Sequence, residues 1–142
     1  MTLGSRWGYF YREEVSDELN LADRTPGKVR DGAFFLAPPF VELTLADGLW
    51  ATVNRQLGTL FDFAEEEVID PDAGKRMATV LSKFAQDHYA EIDGIVRKEI
   101  GTHNGAPVFA EMPLAVLTDV LKRLGTFISD EAVAGHTIVG AL

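Results

Sequence analysis

Along the first 45 residues apolar side chains tend to recur at every second position, and from Asp47 onward they recur every three to four. The first period is that of a half-buried strand and the second that of a helix with one apolar stripe. In "RWGYFYRE" Trp7, Tyr9 and Tyr11 fall on one face and Phe10 and Arg12 on the other, which predicts a strand. Residues 16–31 are polar and contain the turn signal Pro26-Gly27, with one short helical turn expected around Glu18 to Ala22. "GAFFLA" and "FVELTL" read as two further strands. Pro38-Pro39 separates them, because proline lacks the amide proton a ladder needs. In the second, Val41, Leu43 and Leu45 alternate with Glu42 and Thr44.

From Asp47, a candidate N-cap, a helix is expected with Trp50, Val53, Leu57, Leu60 and Ala64 on its apolar stripe; Gly58 weakens it and leaves its end open. Asp70-Pro71 predicts the start of a second helix, since aspartate caps free amides and proline suits the first helical position. Its stripe reads Met77, Leu81, Phe84, His88, Ile92 and Ile95, with Arg97 and Lys98 near the C-terminal carbonyls and Gly101 as the stop. After the turn "THNGAP" and a short apolar run from Val108 to Ala110, a third helix is expected from about Pro113. It carries Leu114, Leu117, Leu121, Leu124 and Ile128 at helical spacing, and "HTIVGAL" closes the chain as a strand. The fold class is therefore α+β: a small antiparallel sheet of N-terminal strands plus the C-terminal strand, packed against about three helices. The alternative is an all-α fold with an irregular N-terminal arm.

The 142 residues match the size of a single globular domain, and 46% hydrophobic with 25% charged residues is the balance of a chain that packs its own core. Cysteine is absent, which excludes disulfides, thiolate metal sites and cysteine nucleophiles. No basic region followed by an apolar run opens the chain, and no long apolar stretch interrupts it, so the expected location is the cytoplasm, away from membranes. The net charge of −9 repels phosphate backbones and argues against nucleic-acid binding.

That charge is concentrated. In "FDFAEEEVIDPDAGKR" six carboxylates, Asp62, Glu65, Glu66, Glu67, Asp70 and Asp72, precede any Lys or Arg. Gly74-Lys75 suggests a phosphate loop, but the required first glycine is Ile69 and the required Ser or Thr is Arg76. A calcium loop beginning at Asp70 needs glycine at Lys75 and glutamate at Leu81. His88 and Glu91 share a helix face, yet this is one reversed copy of a pattern that di-metal bundles use twice; His103 and His136 could join only through the fold. No nucleophile elbow, His-Glu-x-x-His or Ser-x-x-Lys pair is present. The expectation is a chain with no cofactor, no metal and no catalytic residues, more an interaction protein than an enzyme.

A small, acidic, cysteine-free domain of this kind resembles, in size and charge, the immunity proteins that neutralise bacterial toxins by covering a cationic site. The resemblance implies a non-catalytic inhibitor that docks on a basic partner; it covers no particular residues, and the concentration of charge is what points to Asp62, Glu65, Glu66, Glu67, Asp70 and Asp72 as the docking residues. The runner-up is a small-molecule-binding protein or enzyme with a pocket between sheet and helices, and a third reading is a subunit whose helix faces self-associate.

Overall fold

The computed structural model describes residues 6–18, 26–62, 66–90 and 93–142. Among them lie seven strands and four α-helices. Strand β1 (Gly8–Arg12) leads into a 3-10 turn (Glu13–Glu18), and β2 (Gly27–Arg30) and β3 (Ala33–Leu36) form a hairpin. Helices α1 (Phe40–Ala46) and α2 (Leu49–Leu57) follow, then β4 (Glu67–Ile69) and the long helix α3 (Pro71–His88). A second hairpin, β5 (Ile95–His103) and β6 (Ala106–Pro113), runs straight into α4 (Leu114–Val133), and β7 (Ile138–Ala141) ends the chain. One sheet has the order β2-β3-β1-β7-β4, with every pairing antiparallel; among the described residues β5 and β6 pair only with each other. The α+β fold expected from the period change is the one observed, with N-terminal strands and the C-terminal strand at the centre of the sheet.

Register explains the two faces of β1. Phe10 lies opposite Phe34 on β3 and Gly140 on β7, and this inner face packs on α3 and α4 through Met77, Leu81, Leu117, Leu121, Leu124 and Ile128. Phe34 and Phe127 approach to 5.7 Å between ring centres. Gly140 is needed here because a Cβ would come within 2.3 Å of the Phe10 ring. Tyr9 and Tyr11 stack at 5.9 Å on the outer face, beside Ala33, Phe35 and Val139.

Several expectations give way to tertiary structure. "FVELTL" is helix, not strand: Phe40, Val41, Leu43 and Thr44 are all buried, which is an i, i+1, i+3, i+4 pattern that the apparent alternation concealed. The Thr44 hydroxyl donates to the Phe40 carbonyl and accepts from the Trp50 indole at 2.8 Å, so a polar residue is satisfied inside the core. Asp47 is not the N-cap of the next helix. It ends α1, and Gly48, with φ of +86°, precedes α2. The stretch is thus two short helices, so the described residues hold four where about three are expected.

The second expected helix ends at His88. Arg97, Lys98 and Gly101 belong to β5, where Val96 and Ile100 turn toward the core and Ile95 is 66% exposed. Gly94, at φ of +112°, lets the chain reverse, and Asn104-Gly105, both at positive φ, close the hairpin. Strand β2 lies in the segment expected to turn, and β4 lies where the sequence leaves the end of the helix from Asp47 open. Residues 19–22, Ala64, Glu65, Glu91 and Ile92 lie outside the described residues.

Candidate functional site: the acidic sheet edge

The path that places the acidic run starts at the end of α2. Gly58 adopts φ of +72° and donates its amide to the Asn54 carbonyl, stopping the helix. Asn54 then clamps the loop that follows: its side-chain oxygen accepts from the Thr59 hydroxyl and the Phe61 amide, both at 2.8 Å, and its amide donates to the Phe61 carbonyl at 2.9 Å. The clamp turns Phe61 inward, 1% exposed, against Phe10 and Trp50 at 5.8 and 5.4 Å. Its neighbour Leu60 is left 56% exposed.

The chain next reaches β4, an edge strand that pairs with β7 and, among the described residues, with no other strand. Val68 lies opposite Val139 and so faces the outer side of the sheet, where it is 63% exposed. The edge is blunted in the usual manner, by shortness and charge.

The structure gives most of the predicted docking residues a local partner. Asp62 pairs with Arg6 at 2.9 Å, and Arg6 also binds the Leu142 carbonyl. Glu66 accepts the Tyr11 hydroxyl across β7, and burial followed by that bond holds the Tyr11 phenol well above its usual range. Glu67 accepts the Leu60 amide at 2.6 Å, tying the exposed loop to the strand. Asp70 caps α3 by accepting from the Ala73 amide at 2.8 Å, the role its place before proline predicts. Asp72 lies exposed in the first turn of α3, where its charge meets the helix N-terminus. Glu65 is outside the described residues. The five described carboxylates thus follow one another along the β4 edge and into α3, and four of them, Asp62, Glu66, Glu67 and Asp70, are each anchored to a different neighbour.

His88 stacks on Phe84 at 3.9 Å between ring centres, and His103 stands on the exposed β5 strand. Among the described residues no three metal-binding side chains gather.

Two polar clusters were not anticipated. Glu131, 5% exposed, receives Arg12 through Nε at 3.2 Å and through Nη2 at 3.0 and 3.1 Å, and lies 2.6 Å from Nδ1 of His136. Burial opposes the Arg12 charge, but the bonds and charge of Glu131, with help from Asp31 and Glu14, hold its pKa above the ordinary value. The available signal was spacing: Glu131 continues the stripe Leu117, Leu121, Leu124, Ile128 at the next inward position. In the second cluster the Tyr89 hydroxyl donates to Asp47, whose other oxygen is 3.0 Å from Lys98. Burial first, and then Asp47, raise the Tyr89 pKa far above 10.0.

Compared with protein-family models, curated proteins and solved structures, the chain matches none.

Proposed function

We propose that the protein is a non-catalytic binding protein that docks on a basic partner through the β4 edge, in the manner of an immunity-type inhibitor. One observation carries the reading: Leu60 and Val68, two of the large apolar side chains left exposed, stand in the same short segment as Asp62, Glu66, Glu67, Asp70 and Asp72. An apolar anchor inside a charged rim is the arrangement of a binding hot spot, since the anchor supplies affinity once water is excluded and the rim sets partner choice. The rim's carboxylates outnumber Arg6, which pairs with Asp62, so its net negative charge steers a cationic surface and rejects an anionic one.

The internal bonds support this. The uncharged donors, Tyr11, the Leu60 amide and the Ala73 amide, hold Glu66, Glu67 and Asp70 while leaving their charge in place, so less side-chain entropy is lost on docking. The test uses the partner captured from the native host and then purified. Replacing Glu65, Glu66 and Glu67 together with Gln should lower the association rate and flatten its dependence on salt, with dissociation changed less. Association that is equally fast and equally salt-dependent in the triple variant removes the acidic run from the interface.

A further inference from the structure

A second site lies on the β3 side of the sheet, away from β4. Here a cleft of about 560 Å³ opens between the end of the sheet and the C-terminal half of α4. That volume is in the range of small-ligand pockets. Its polar floor is the Arg12–Glu131–His136 cluster, in which the Glu131 side chain is 7% exposed and that of Arg12 15%.

The two ends of the cleft differ in charge. At the floor end every Arg12 nitrogen meets a carboxylate: Nε and Nη2 bind Glu131, Nη1 is 3.4 Å from Glu14, and Nη2 is 3.5 Å from Asp31. Asp130 adds a fourth carboxylate, one with no ion pair among the described residues. Asp31 makes a further interaction of its own and is left out of the balance; Glu131, Glu14 and Asp130 still outnumber Arg12 and a protonated His136, so this end stays anionic. At the other end stands Lys122, which also has no ion pair among the described residues. Lys122, Thr126 and Asp130 recur at i, i+4 and i+8, so they form one row along α4. That row sets a free ammonium and a free carboxylate about 12 Å apart along the helix, with a hydroxyl between them.

We propose that this cleft binds a free basic amino acid, with the α-carboxylate at Lys122 and the side-chain cation at Asp130. A simple amine offers nothing to Lys122, a simple acid is repelled by the floor, and a short zwitterion cannot span the row. Arginine fits best, because a planar guanidinium meets carboxylates through paired hydrogen bonds. The site is independent of the β4 edge.

Calorimetric titration of the full chain tests it with L-arginine, L-lysine, agmatine, which lacks the carboxylate, and L-citrulline, which lacks the charge. Arginine should bind saturably, and agmatine and citrulline about tenfold or more weaker, as expected when one charge-assisted contact is lost. Lys122→Met should weaken arginine to the level of agmatine and leave agmatine unchanged; Asp130→Asn should weaken both. Both positions are exposed on α4, and thermal melts confirm that the variants fold. Absence of saturable binding by either basic amino acid overturns the proposal. So does equal binding of arginine and agmatine, which would assign the cleft to a cation alone, or insensitivity to both substitutions.

Discussion

Arg12 and Glu131, 119 residues apart in the chain, meet through two guanidinium nitrogens and both carboxylate oxygens, joining the inner face of β1 to the last turns of α4. Arg12 shares that face with Phe10, so the register that buries Phe10 also aims Arg12 at the helix. A carboxylate this buried is tolerable only while its charge is answered. Arg12→Leu should therefore destabilise the protein by about 3 kcal/mol, and adding Glu131→Leu should recover much of the loss, because the stranded charge is gone. Urea denaturation of both variants checks this; a double variant less stable than Arg12→Leu would contradict it.

Tyr89 makes stability sensitive to alkali. Its pKa is raised in the fold by burial and by the bond to Asp47, so the neutral phenol is the form the folded state favours. The contribution is complete below the ordinary value of 10.0 and is lost as pH climbs from there toward the folded value. Above pH 10 the wild type should lose stability more steeply than Tyr89→Phe, by up to about 1.4 kcal/mol per pH unit. Tyr11, raised by burial and Glu66, keeps its own share of the slope in that variant. Parallel wild-type and Tyr89→Phe curves between pH 10 and 11 would contradict the buried, Asp47-bonded placement of the phenol.

Asp70 and Asp72 stand two residues apart at the start of α3 and differ in function within the fold. Asp70→Ala removes an N-cap bond and should cost about 0.5–2 kcal/mol. Asp72→Ala removes only a favourable charge near the helix dipole and should cost no more than about 0.5 kcal/mol. Thermal melts at equal ionic strength measure both, and equal losses would contradict the assignment.

The parts of the fold legible in the sequence are those where one pattern had no rival. Leu114 to Ile128 could only be a helix stripe, Asp70-Pro71 could only open a helix, and the alternation in "GYFYR" matched the two faces of β1. "FVELTL" was misread because six residues fit either period, and only the burial of Phe40 with Thr44 decides between them. The helix expected through Lys98 failed because Ile95 to Ile100 carries apolar residues at strand as well as helical spacing, while Gly94 permits the reversal that starts β5. Of the candidate site, the acidic run was visible as composition, but its anchoring to Arg6, Tyr11 and Leu60 depends on contacts from elsewhere in the chain. Glu131 escaped notice because a buried charge is marked only by its place on an apolar stripe, and His136, weighed only as a distant metal ligand, carries no local sign that it meets Glu131.

Whether the β4 edge is the proposed docking surface is read most directly from equilibrium affinity for the purified basic partner. The double variant Leu60→Ser, Val68→Ser removes the apolar anchor without touching a carboxylate or a core side chain, since both positions are more than half exposed. The account predicts wild-type melting behaviour with affinity weakened about tenfold or more, chiefly through faster dissociation. Unchanged affinity in a folded double variant would contradict it.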